Sequence, residues 1–537
     1  MSGISMCLAA GSARAAPPAA NPPAAAKAAP AAAKATPASR IDLWEIDVDG
    51  NTVLDAAAID AIVAPFLGES RTFKDVDDAR AALEEAYRDH GYKTVTVAIP
   101  RQTVHDGVVV LQVTEERVGH LTVVGSKYHS IDQIKLEAPS LAEGSVPDFN
   151  RVQKDIVALN GQPDRRVTPA LKAGATPGTV DIDLVVEDHL PLHASAEINN
   201  RRSQDTSELR TLGTLSYDNL WQSGHSLSVS YQTAPQNQSD ARVLFGSYLA
   251  RFGGSRFSLL FNALKSDSNV ATVGGTNVLG NGQMYGVRGV LQLPGGEGYY
   301  PSVTFGMDYK HFKTLTSLGG SSFNTPVEYF PFTLGYSGLF RADGAVTQAD
   351  LSMVLASPRL GSSTEVIQLN RANARGQMFY LRGDVSHTED FAHGVQGFVR
   401  FAGQITDQPL ISNEQFSAGG MDTVRGYLEA ETLGDYGFNA SAEVRGPSWG
   451  ENLKLGSWGS PVQDFRLFAF VDGSQLLLRD PLPDQQSRFN LMSVGTGVNL
   501  RLFSYVNGVL DWADPLLAGS ATRAWSSRIV FRVWTNY

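Results

Sequence analysis

A single cysteine, Cys7, occurs in the whole chain, so neither an intrachain disulfide framework nor a cysteine-based zinc site can be built. No stretch approaches the ~18 uninterrupted apolar residues of a membrane-spanning helix. That excludes a helical membrane protein but not a β-barrel, whose strands are apolar on one face only. Excess positive charge is missing too: the formal net charge of −11 leaves no basic field for general nucleic-acid binding. There is no glycine loop ending in Gly-Lys-Ser/Thr, no His-Glu-x-x-His, and the ten histidines are scattered. The chain therefore reads as no enzyme, with no metal site and no cofactor.

Glycine and aromatic residues are plentiful. The 52 Gly, 25 Phe, 17 Tyr and 7 Trp suit short strands, turns and aromatic girdles better than a helical bundle. At the N-terminus, Ile4 to Ala10 is a short apolar run, and Ala13-Arg14-Ala15 ends in the small-x-small pattern of a signal-peptidase site. Residues 1–15 are thus expected to be a truncated secretory signal, its basic region lying upstream of the present start. Ile4-Ser5-Met6-Cys7 fits a lipobox poorly, because Met6 stands where a small residue is needed. Residues 16–40 are nearly all Ala and Pro, an extended spacer with nothing to bury.

Two successive units follow, at 41–117 and 118–190, each reading strand–helix–helix–strand–strand. In the first, Leu43 to Val48 alternates as a strand. Asp75 to His90 places Val76, Ala79, Leu83, Ala86 and Tyr87 on one helical face, and Gly91 ends the helix. Thr94–Ile99 and Val108–Val113 form a hairpin-like pair. The second unit repeats the order, with helices at Ile131–Leu136 and Asp148–Leu159 and strands at His120–Val124, Val167–Ala173 and Val180–Val186. Trp44, Phe66, Tyr87 and Leu159 are expected to be module core.

From 191 to 537 no helix is expected. Leu227, Val229 and Tyr231 oppose Ser226, Ser228 and Ser230. Val303, Phe305, Met307 and Tyr309 oppose Thr304, Gly306, Asp308 and Lys310, and 493–502 alternates likewise. Roughly 345 residues divide into about sixteen such strands, the even count and apolar-out, polar-in pattern of an outer-membrane barrel. The final strand puts Ile529, Phe531, Val533 and Tyr537 opposite Arg528 and Arg532. The fold class is therefore mainly β: a 16-stranded antiparallel transmembrane barrel preceded by two α+β modules.

Two short motifs stand out in the barrel. Val424-Arg425-Gly426-Tyr427 follows Gly419-Gly420, and Phe470-Val471-Asp472-Gly473 lies on a later strand. With Leu184 to Asp188, Glu197-Ile198-Asn199-Asn200 and Tyr217-Asp218-Asn219-Leu220-Trp221, they resemble the two-partner secretion transporters, the hemolysin-activator and adhesin-exporter barrels. The resemblance covers Ile41 to Tyr537. The two N-terminal units then resemble polypeptide-transport-associated (POTRA) domains.

That resemblance implies that Arg425 sits on a long loop, from Gln404 to about Tyr436, folded into the lumen and salt-bridged to Asp472. Strand parity fits, since Phe468, Phe470 and Asp472 share one face. The family's glycine two positions after the aspartate is Ser474 here, Gly473 following the aspartate directly. Many members begin with an amphipathic plug helix, and the Ala/Pro segment before Arg40 has no apolar stripe to make one, so closure is expected to rest mainly on the Arg425 loop. The implied function is ATP-independent export of a large β-helical exoprotein from the periplasm across the outer membrane. Unfolded substrate would add to the exposed sheet edges of the POTRA units. The expected surroundings are outer-membrane lipid and the barrel-assembly machinery, with no nucleic acid and the chain a monomer. A barrel-assembly factor and a passive diffusion porin are the alternatives. Two POTRA units rather than three to five disfavour the first, and POTRA units of any number disfavour the second.

Overall fold

The longest helix, Phe73–Asp89, starts where Asp75 accepts hydrogen bonds from the Thr72 N–H and hydroxyl, both at 2.7 Å. Those bonds satisfy a first-turn donor that helix geometry leaves orphaned. Its buried stripe is Val76, Ala79, Leu83 and Tyr87, and it ends at Gly91, whose φ of +96° is a left-handed conformation that glycine adopts without strain. The computed structural model describes residues 40–537 except 163, 254, 269, 274, 275, 319, 320 and 451–461. The expected signal segment, Cys7 and the Ala/Pro stretch up to residue 39 lie outside the described residues.

The described chain forms two compact units, one ending at His189 and one running from Leu190 to Tyr537. In the first, Glu45–Asp49 pairs in parallel with Val108–Glu115, which pairs antiparallel with Val95–Ala98. The expected strand across Leu43 to Val48 is broken at Trp44. Ile41–Leu43 pairs instead with Gly68–Arg71, while the Trp44 and Glu45 N–H groups both donate to Gly107 O, at 2.8 and 3.3 Å. That kink turns Trp44 outward: it is 57% exposed, not core, whereas Tyr87 and Leu159 are fully buried as expected. Phe66 is only partly buried against the same apolar cluster.

A second three-stranded sheet has the order Arg117–Val124, Thr179–Asp188, Arg165–Ala173, with helices Ile131–Leu136 and Phe149–Leu159 packed on it. Asp188 ends its central strand, and its carboxylate has no solvent exposure. It accepts from the N–H groups of Lys127 (3.0 Å), Tyr128 (2.8 Å) and His129 (3.2 Å). Burial works against its charge, but the N–H groups of Tyr128 and Lys127 and the contacts to His129 outweigh it and hold the carboxyl below its usual range. A carboxyl held low contributes stability above its unfolded value of ~3.9 and loses it as pH falls through the lower folded value. Asp188→Ala is expected to destabilise the 117–188 module by about 2–4 kcal/mol at neutral pH, since several buried donors lose one acceptor. Hydrogen exchange should show faster exchange of that module's amides alone. Asp188→Asn should remove the share of acid-side stability loss expected from this carboxyl.

The second unit is a closed antiparallel barrel of sixteen strands, each paired to its sequence neighbour in the barrel and the last, Arg528–Asn536, paired to the first, Leu192–Asn199. At that seam the Asn200 side chain continues the ladder, accepting from Phe531 N–H and donating to Ile529 O, both at 2.8 Å. The even count puts Leu192 and Tyr537 at the same end. Turns at that end, such as 221–224 and 503–505, are short, and Trp221, Phe252, Phe503 and Tyr505 are exposed there, the aromatic girdle of a membrane barrel. Leu227, Val229 and Tyr231 face outward and exposed, as their alternation requires, while Ser230 and Gln232 are buried on the inner face.

Two features depart from the sequence reading. Thr364–Asn370 is a helix in the connection between the ninth barrel strand, Ala345–Gly361, and the tenth, Met378–Asp390. Among the described residues, the 3₁₀ turns Ala392–Gly394 and Ser412–Glu414 also interrupt the β region. At a length of 7 residues the helix shows no period of its own, and only Ile367 is buried. Second, the lumen is not polar throughout. Val243, Leu264, Met284, Phe312, Val327 and Val354 are inward and buried in one apolar cluster, which is affordable only because loop residues cover them.

Candidate functional site

The eleventh strand, Gln396–Ile405, and the twelfth, Tyr436–Arg445, pair up to Gln404 opposite Gly437. The connection 406–435 folds into the lumen, where Phe416–Ala418 and Thr432–Gly434 make a small hairpin of their own. Gly420 and Gly426 turn the chain at φ +105° and +90°. A Cβ on Gly426 would lie 3.2 Å from Ala513 Cβ and from the Pro515 ring, so the backbone there rests directly on the barrel wall.

Arg425 follows from that turn. Its Nε and Nη2 donate to Asp472 Oδ2 and Oδ1, both at 2.8 Å, in a bidentate fork, and its own N–H reaches Oδ2 at 3.1 Å. Nη1 donates to Glu443 Oε1 at 2.7 Å, and Ser441 Oγ donates to Asp472 Oδ1 at 2.7 Å. The guanidinium lies 3.5 Å from the centroid of the Phe470 ring, stacked on its face. The Arg425 side chain is 7% exposed and that of Asp472 is wholly buried.

Each charge has an address in the strands. Asp472 is on the thirteenth strand, Val462–Leu477, with Phe468 and Phe470 on the same inward face, while Leu467 and Val471 are exposed. Gly473, placed one residue earlier than the family pattern has it, leaves the ladder regular: Asp472 pairs with Ser493 and Ser474 with Leu491. Val424 and Tyr427 are buried in one cluster with Phe416, Ala418, Leu476 and Leu491. The Tyr427 hydroxyl lies 2.9 and 2.7 Å from the carbonyl oxygens of Met492 and Leu517.

Glu443, Ser441 and three further anchors of the same loop have no signal that the sequence reading picked out. Glu414 accepts from Lys310 Nζ (2.6 Å), the Tyr329 hydroxyl (2.6 Å) and the Tyr380 hydroxyl (2.5 Å). Asp435 accepts from Arg371 Nη2 at 2.9 Å. On the other side, Arg201 binds Glu429 at 2.8 Å and Asp422 at 2.6 Å. Glu443 could have been suspected, since it shares strand parity with Ser441. The Glu414 cage had no local signal, because its partners lie on three separate strands. This arrangement can hold a loop in a fixed pose inside a pore. It positions no nucleophile or general base against an open pocket.

The chain matches known proteins over most of its length. A family model for a POTRA domain of ShlB type matches residues 41–116. A second, for the haemolysin secretion/activation protein ShlB/FhaC/HecB, matches residues 178–500. The outer membrane transporter CdiB of Dickeya dadantii is 23% identical over 469 residues, covering 81% of this chain and 76% of that protein. The heme/hemopexin transporter protein HuxB of Haemophilus influenzae is 19% identical over 455 residues, covering 82% and 77%. Among solved structures, CdiB from Escherichia coli superposes with a TM-score of 0.64 at 19% identity, over 95% of this chain and 93% of that one. BamA from Haemophilus ducreyi lacking POTRA domains 1–3 gives 0.56 at 14% identity, over 93% and 100%. These structural likenesses establish the shared fold.

Proposed function

Since the chain belongs to the haemolysin secretion/activation family (ShlB/FhaC/HecB), two-partner secretion transporters of the outer membrane, we propose that it exports one large partner protein through its barrel without ATP. The observation that carries this reading is the lumen loop 406–435, clamped at Arg425 yet attached by side chains that a passing chain can displace. A diffusion porin keeps its lumen open, whereas this one is occupied. Unfolded substrate is received in the periplasm by the N-terminal modules, whose sheet edges accept an added strand by main-chain hydrogen bonds. The cargo is a β-helical exoprotein, and its folding outside the cell prevents return. The barrel-assembly machinery inserts the chain, which works as a monomer in outer-membrane lipid.

A direct test searches the neighbouring genes for a large β-helical exoprotein, co-expresses it with the chain and follows it in the medium. Export is expected only with the intact chain, and a chain lacking residues 41–189 should insert its barrel and export nothing. Equal amounts of exoprotein outside the cell with and without the transporter would sink the reading. If outer-membrane barrels as a class failed to assemble in its absence, the assembly-factor alternative would replace it.

A further inference from the structure

We propose that the connection 362–377 is a second plug of the pore, latched shut by Arg371 and Asp435. Its purpose rests on the export reading, but its gating does not. With the POTRA region in the periplasm, the barrel end holding Leu192 and Tyr537 is periplasmic, and the connections 362–377, 406–435 and 478–487 lie at the extracellular end. The first does not project from the barrel: Ile367 and Ala374 are each 2% exposed, in one apolar cluster with Leu410 and Ile411 of the loop 406–435.

The wall is matched to that insertion. Phe312, Val327, Val354 and Met378 face inward and belong to the same cluster. An apolar band inside a pore exposes surface to water at about 25 cal/mol per Å² unless something apolar fills it, so this level of the barrel is built to be dry and closed at rest.

The latch is a single carboxylate serving three connections. Asp435 Oδ2 accepts from Arg371 Nη2 at 2.9 Å and from the Arg479 N–H at 2.7 Å. Its Oδ1 accepts from the Leu410 N–H and from Gln415 Nε2, both at 2.9 Å. Arg371 Nη2 also donates to Arg479 O at 2.8 Å. The Asp435 side chain is wholly buried and that of Arg371 is 9% exposed, so the pair is not screened by solvent. Releasing the Arg425 clamp alone therefore leaves the outer half of the pore filled. Opening needs the Arg371–Asp435 latch to part as well.

The test measures ion conductance of the purified full-length protein in planar lipid bilayers, with no exoprotein present. Arg371→Gln, Asp435→Asn and Ile367→Ser are expected to raise the open fraction about 10- to 100-fold over the native chain, the shift that loss of one buried interaction produces. Replacing 364–373 with a Gly/Ser linker should have at least that effect. Cells carrying these variants should become sensitive to large hydrophilic antibiotics. The folded-barrel shift on unheated gels identifies any variant that misassembles, and the linker replacement, which leaves Asp435 and the barrel strands intact, then decides. Native-like conductance of the linker variant, or of any two correctly folded point variants, would overturn the second plug. Failure of the native chain to export would leave these conductance results standing and count against the export reading alone.

Discussion

Arg425→Ala is expected to reduce export of the partner at least tenfold while the barrel still inserts. The substitution removes a bidentate fork, a bond to Glu443 and a cation stacked on Phe470 in one step. It leaves the Asp472 carboxylate with no exposure and with Ser441 Oγ and the residue-425 N–H as its remaining donors. Removing one partner of such a buried pair costs about 3–5 kcal/mol, mainly because the other charge is stranded. That free energy falls on the loop, not on the sixteen-strand ladder, so the folded-barrel gel shift should survive while the loop pose is lost. Asp472→Ala should behave alike, and with Glu443 still present it retains an acceptor for Arg425, so its defect should be the smaller.

An anchor and a transport element can be told apart with the charge-free pair Arg425→Met with Asp472→Leu. Neither charge is then stranded, and the loop should regain most of its stability. If the pair served only to hold the loop, export would recover with it. The proposed role predicts that export stays low, because the apolar pair packs the loop without giving a passing chain a polar contact to exchange with. Full recovery of export in the double variant would reduce Arg425 and Asp472 to structural anchors.

How far the sequence led depends on how local each signal is. The Arg425 turn and the Asp472 strand are short, glycine-marked or strictly alternating, and each can be read within ten residues. Barrel strands with a polar inner face, such as 225–233, show their alternation directly. Where the lumen is filled, that signal vanishes: Val327 and Val354 are apolar on the inner face because Ile367, Leu410 and Ile411 cover them, a tertiary fact with no local trace. The helix 364–370 is too short for periodicity to reveal. Trp44 departs from its pattern for a related reason. Its alternation is that of a buried strand residue, but Gly107 O captures the N–H groups of both Trp44 and Glu45 and turns the chain at that point.

The Glu414 cage should give the largest effect on stability and, unlike the Arg425 pair, should be replaceable. Glu414→Leu strands the Lys310 ammonium, which is 17% exposed, and leaves the Tyr329 and Tyr380 hydroxyls without their acceptor. The orphaned cation alone costs about 3–5 kcal/mol, and each buried phenol adds about 1–3 kcal/mol. The loop 406–435 loses its Glu414 hydrogen bonds to the seventh, eighth and tenth strands at once, those being Tyr299–Leu318, Ser321–Ala342 and Met378–Asp390. The temperature at which the folded barrel is lost on gels should fall clearly, and export with it. Glu414→Gln combined with Lys310→Met removes the charge from both partners and keeps a side-chain oxygen for one phenol, while the other can donate or accept across the amide. That double variant should recover both the melting temperature and export. Recovery of stability without export would give Glu414 a part in moving the substrate, and failure to recover stability would mean that the cage depends on its charge.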